Sequence, residues 1–109
     1  MDHFFGGRSV QVQNNRYLTD ITVITNFKNL RYLDASGNYA LENIDAVKEL
    51  QYLNYLDFQY DNVNDLTPII ECQGMRNNSW LNVFMNHLSE IAKNEQVPLL
   101  RARGVYVVD

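Results

Sequence analysis

The chain has 109 residues, 46% hydrophobic and 20% charged, with a formal net charge of −4. That length builds one small core, the composition is globular rather than disordered, and the acidic balance argues against a general nucleic-acid or anionic-membrane surface. A single cysteine, Cys72, allows no internal disulfide, and no apolar run is long enough to span a bilayer.

The opening Met1-Asp2-His3-Phe4-Phe5-Gly6-Gly7 has neither a basic nor an apolar leader region, so no signal peptide is visible. Gly6-Gly7 is no phosphate loop, because no strand-to-helix context and no lysine follow it. The organising stretch is residues 30–38, L-x-x-L-x-A-x-x-N, which recurs 23 positions later at residues 53–61. Stepping back by 23 from Leu33, Ala35 and Asn38 gives Val10, Val12 and Asn15, a degenerate first unit. Stepping forward by 25 from Leu56, Phe58 and Asp61 gives Leu81, Val83 and Asn86, and a further 24 gives Val105 and Val107. Each position starts a short apolar–polar alternation, the pattern of a half-buried strand, so five strands are expected.

The segments between strands repeat with a spacing of three: Leu18, Ile21, Ile24 and Phe27; then Leu41, Ile44, Val47 and Leu50; then Val63, Leu66, Ile69 and Cys72. That spacing predicts 3₁₀-like return arcs, with Pro68 limiting regular α-helix in the third. Cys72 is read as a small core hydrophobe. Asn15, Asn38, Asp61 and Asn86 form a column at the strand ends, where a side-chain amide can satisfy turn backbone. Residues 76–80 lengthen the third unit into a bulged loop. Ser89 is a helix N-cap, Pro98 begins a second helical turn with Leu99 and Leu100 inward, and Gly104 closes it.

On these residues the chain resembles the bacterial internalin-type leucine-rich-repeat proteins, the class with units of about 22 residues. Asp61-Asn62-Val63-Asn64-Asp65-Leu66-Thr67-Pro68-Ile69 is similar to that family's recurrent N-x-I-x-D-L-T-P-L. Residues 86–107, ending Arg101-Ala102-Arg103-Gly104-Val105-Tyr106-Val107, resemble its C-terminal cap. The expected fold class is therefore α/β: a right-handed leucine-rich-repeat solenoid with about five short parallel strands on its concave face, irregular or 3₁₀ return segments and a helical C-terminal cap. One domain, 1–109, comprises a degenerate first repeat and N-terminal edge (1–15), repeats (16–86) and the cap (87–109). The resemblance implies a protein-recognition scaffold and carries over neither a partner nor catalytic residues.

Function is then sought in the outward strand residues, which parallel stacking turns into columns. The first column is Ser9, Tyr32, Tyr55 and Trp80; the second Gln11, Asp34, Asp57, Asn82 and Tyr106; the third Gln13, Ser36, Gln59, Phe84 and Val108. Tyr32, Asp34, Ser36, Tyr55, Asp57, Gln59, Trp80, Asn82, Phe84 and Tyr106 are the expected protein-binding residues, since exposed aromatics dominate interface energetics. The competing explanation is that strand tyrosines only pack on their cross-strand neighbours. Asp34 and Asp57 are adjacent carboxylates that could share a proton or hold a cation. No nucleophile or histidine aligns with them, so neither an enzyme nor a metal or cofactor site is expected. His3, His87 and Cys72 make no zinc set, and Lys93, Arg101 and Arg103 read as a solvated basic face.

The expected function is a non-enzymatic protein-binding module, its partner neither nucleic acid nor membrane. A chain complete as written is expected to be cytoplasmic; the alternative is a fragment of a bacterial cell-surface or secreted adhesion protein. The first strand's open edge offers a route to homo-oligomers unless Phe4 and Phe5 fold back over it.

Overall fold

The computed structural model describes residues 3–5, as backbone only, and residues 8–109. Six short strands form one open sheet in chain order: β1 (His3–Phe5), β2 (Ser9–Gln11), β3 (Tyr32–Asp34), β4 (Tyr55–Asp57), β5 (Trp80–Asn82) and β6 (Tyr106–Val108). β2 to β6 are parallel, and β1 lies antiparallel on β2. The β2 edge that the sequence leaves open is thus occupied by the backbone of β1. Whether the Phe4 and Phe5 side chains cap the core lies outside the described residues.

Each parallel strand points its central residue inward, and Val10, Leu33, Leu56, Leu81 and Val107 form a buried row across the sheet. Leu30 and Leu53 on one side of this row, and Val12, Ala35, Phe58 and Val83 on the other, are also buried. The return arcs supply the opposite wall. Two are 3₁₀ helices, Thr22–Asn26 and Asp45–Glu49, which bury Ile24 and Val47. The threefold spacing places those side chains on one edge of the turn. All four residues of the second and third threefold sets are buried, Cys72 among them, whereas Leu18 and Phe27 only lean on the core. Each fully buried leucine or isoleucine contributes about 2 kcal/mol by removal from water.

The third arc departs from expectation. It is a short α-helix, α1 (Thr67–Ile70), and Pro68 sits in its first turn. There the missing N–H costs nothing and the fixed φ suits the helix, so this proline starts the turn rather than preventing it.

The C-terminal segment differs more. It is helical from 90 to 102 without a break, as a π-helical turn Ala92–Gln96 leading into α2 (Val97–Ala102). Pro98 cannot donate to the carbonyl four residues back and its ring crowds that carbonyl; the widened turn before it relieves both. Ser89 Oγ accepts the Ala92 N–H at 3.0 Å, the expected cap. Leu100 is buried but Leu99 is exposed, correcting the inward assignment of both.

The helix closes with Gly104 N–H donating to the Arg101 carbonyl (3.0 Å) and Val105 N–H to that of Leu100 (3.1 Å), Gly104 standing at φ 94°. This paired closure needs a left-handed residue, which glycine supplies. Because the helix is unbroken, the chain re-enters the sheet later than repeat arithmetic places it: Leu81 pairs with Val107, not Val105. Arg101 is exposed, as a solvated face implies, and Arg103 is half-buried, but both also make hydrogen bonds. Arg101 donates to the Val107 carbonyl (3.0 Å) and the Asp109 carboxylate (2.7 Å), and Arg103 to the Ile70 carbonyl (2.6 Å).

Candidate interaction face

The outward residues of the sheet form two columns in strand register. Ser9, Tyr32, Tyr55, Trp80 and Tyr106 make one; Gln11, Asp34, Asp57, Asn82 and Val108 make the other. Tyr106 therefore belongs beside Trp80 and Val108 beside Asn82. Both are one outward place from the sequence assignment, for the reason the last crossover gives.

In the first column the rings stack. Tyr32 and Tyr55 lie 4.1 Å apart at 8° between planes, and Tyr55 and Trp80 lie 4.4 Å apart at 12°. The parallel register sets this spacing, because adjacent strands sit about 4.8 Å apart. Ring faces are thereby spent within the fold, as the cross-strand explanation required, while all three residues remain half-exposed. Tyr106 at the end of the column is 67% exposed. Burial, the neighbouring Tyr32 hydroxyl and the carboxylates of Asp57 and Asp34 push the Tyr55 hydroxyl pKa well above the usual tyrosine range.

The second column is a run of side-chain turns. Asp34 Oδ1 accepts from the Ser36 N–H (3.0 Å) and Oγ (2.7 Å), and its Oδ2 from Gln13 Nε2 (3.1 Å). Asp57 Oδ1 accepts from the Gln59 N–H (2.9 Å), and Asn82 Oδ1 from that of Phe84 (3.0 Å). Asn82 Nδ2 donates to Gln59 Oε1 (2.8 Å). These bonds fix Ser36, Gln59 and Phe84 at the strand ends. Asp57 Oδ2 accepts no hydrogen bond among the described residues. Burial first, then the Asp34 carboxylate, raise the Asp57 pKa, opposed by the Gln59 N–H. No group of three or more His, Cys, Asp or Glu side chains that could hold a metal ion occurs among the described residues.

Just beyond the strands lies a column of left-handed residues: Asn14 (φ 58°), Gly37 (φ 76°), Tyr60 (φ 62°) and Met85 (φ 60°). Gly37 is tightly seated, since a Cβ there would fall 2.1 Å from Asn14 Oδ1. Tyrosine and methionine adopt this backbone at a cost of about 1 kcal/mol or more each. Sequence reasoning missed Tyr60 and Met85, although they share a repeat column with a glycine and an asparagine, which is the signal of a left-handed turn.

Beneath this rim runs the polar spine. Asn38 Oδ1 accepts the Asn15 N–H (2.7 Å) while its Nδ2 donates to the Val12 (3.0 Å), Ala35 and Ser36 carbonyls. Asn86 Oδ1 accepts the Val63 N–H (2.8 Å), and its Nδ2 donates to the Phe58 (2.7 Å) and Val83 (3.1 Å) carbonyls. Asp61, only 3% exposed, accepts the Asn38 N–H at 2.7 Å through Oδ1, but its buried Oδ2 has no hydrogen-bond partner among the described residues. Burial pushes its pKa up to about 9; the Asn38 N–H opposes this, and the Asp57 and Asp34 carboxylates add to it.

Comparison with family models, curated proteins and solved structures returned no match to this chain. The functional reading therefore rests on the geometry of the sheet face.

Proposed function

We propose that the chain is a leucine-rich-repeat solenoid of the internalin-like type, working as a non-enzymatic module that binds a protein partner on its outward, concave strand face. The parallel register, the threefold return arcs and the asparagine spine support the repeat reading. The binding reading is carried by one observation: the half-exposed ladder Tyr32–Tyr55–Trp80 runs beside the paired carboxylates Asp34 and Asp57. The core does not require these side chains. Large, rigid rings held by stacking lose little entropy on binding, and the Asp57 oxygen that accepts no hydrogen bond among the described residues, in the column beside them, adds polar selectivity. Ser36, Gln59, Asn82 and Phe84 extend the face at the strand ends, and Tyr106 extends the aromatic column.

The test is a pull-down comparing the wild type with a Tyr55→Ala, Trp80→Ala double variant of matched thermal stability. Loss of the captured partner from the variant is expected. Equal recovery of the same partner would sink the assignment.

A further inference from the structure

We infer that Tyr60, Phe84 and Met85 form an apolar anchor for the partner, taking a bulky apolar side chain from a protein segment whose lysine or arginine pairs with Asp57. This rests on the proposal that the outward strand face binds a protein, and it specifies where and by what chemistry.

The observation that carries it is a mismatch between backbone and side chain. At the same place in successive turns the chain uses Asn14, Gly37, Tyr60 and Met85, all at positive φ. Asparagine and glycine suit that backbone, and two of the four turns use them. Tyrosine and methionine do not suit it, and the strain is not offset by burial: Tyr60 is 49% and Met85 59% exposed. A strained position filled by a side chain left half or more exposed gains little for the fold, which directs the explanation to binding.

The neighbouring residue fits. Phe84 is 41% exposed, and its ring meets that of Tyr60 edge-on with centroids 6.0 Å apart. The Tyr60 N–H donates to the Phe84 carbonyl at 3.0 Å, holding the two turns side by side. Preceding turns carry Gln13, Ser36 and Gln59 at the place of Phe84, so among the described residues the apolar patch lies toward the β5 end of the face.

Charge names the rest of the partner. The Phe84 N–H is held by Asn82, whose register neighbour is Asp57. The two outward columns contain Asp34 and Asp57 and no lysine or arginine. A second copy of this chain would set these acids against each other, and an anionic membrane would be repelled as well. A segment carrying a cation next to a bulky apolar residue is complementary.

The experiment uses a displayed library of random peptides, selected on the wild-type chain. Selected peptides are then titrated against three variants: Tyr60→Asn with Met85→Gly, Tyr55→Ala with Trp80→Ala, and Asp57→Asn. The expected peptides share a lysine or arginine near a bulky apolar residue. The turn variant should melt at or above the wild-type temperature yet lose about tenfold or more in affinity. Asp57→Asn should weaken binding and flatten its salt dependence.

Peptides without a basic residue, failure to select any, or a lowered melting temperature of the turn variant would overturn the inference. Undiminished affinity of that variant would do so too. Loss of binding only in the Tyr55, Trp80 variant would overturn the anchor and leave the broader face reading standing; loss in none would remove both. A wild-type dimer in sedimentation that the turn variant abolishes would assign the patch to self-association instead.

Discussion

Among the four side chains that close the turns, Asn15, Asn38 and Asn86 carry amides able to donate as well as accept, and Asp61 carries a carboxyl group. Ionised, it can only accept, and Oδ2 is left buried without a hydrogen-bond partner among the described residues. Protonated, it regains the donor that an asparagine supplies at this column. Burial thus favours the neutral form of Asp61, whose pKa is pushed up to about 9. In the unfolded chain it ionises near its ordinary value of about 4, so across the interval between the two values the unfolded state has released a proton that the folded state retains. Its contribution is fully present below pH ~4, and stability slopes downward as pH rises from there until the folded-state value is passed. Denaturant titrations from pH 4 to 9 should show that slope in the wild type. They should show it removed in Asp61→Asn, which is the more stable protein at pH 8; parallel curves would contradict the neutral acid. Asn38→Ala removes three donor contacts and one acceptor contact. It is expected to cost about 2–4 kcal/mol in the same measurement, since buried carbonyls lose their partners.

At the scale of elements, a buried glutamine links the C-terminal helical segment to the start of α1, beside the Arg103 bond to Ile70. Gln96 Oε1 accepts the Leu66 N–H (2.8 Å), and Nε2 donates to Asp65 Oδ1 (3.0 Å) and Thr67 Oγ1 (3.1 Å). The π-helical turn before Pro98 is what presents Gln96 there. Gln96→Ala should cost about 1–3 kcal/mol, and amide exchange should quicken first in residues 90–102, ahead of β3 and β4. Uniform acceleration would mean that the cap is not a separate unit. Gly74 makes a different demand: a Cβ there would lie 2.0 Å from the Leu53 carbonyl oxygen, so Gly74→Ala should destabilise by about 2 kcal/mol or more in thermal melts.

The strands and 3₁₀ arcs were legible because side chains of both recur at spacings that only one backbone geometry satisfies. β1, α1 and the π-helical turn were not, whereas the Ser89 N-cap and the Gly104 closure of the C-terminal helical segment were. Whether a proline breaks a helix or starts one depends on where the turn begins, and a π-helical turn leaves no periodic mark. The last crossover is longer than the repeat spacing predicts, which moved Tyr106 and Val108 each by one outward place.

On the scale of the whole molecule, one sheet separates two tasks. Inward residues fill a continuous core, and outward residues form a stacked aromatic ladder beside the Asp34 and Asp57 carboxylates. The columns up to β5 followed from repeat arithmetic, and cross-strand packing of the tyrosines was among the alternatives; the side-chain turns and the strained rim at Tyr60 and Met85 did not follow, because they depend on three-dimensional neighbours. The aromatics also provide their own controls, since Tyr17, Tyr39 and Tyr52 are exposed outside the outward columns. The most direct measurement is hydroxyl-radical footprinting of the chain alone and in complex with whatever protein it captures. Protection of Tyr32, Tyr55, Trp80 and Phe84, with Tyr17, Tyr39 and Tyr52 unchanged, is the predicted result. Protection of those three with the ladder still reactive would contradict a binding face on the strands.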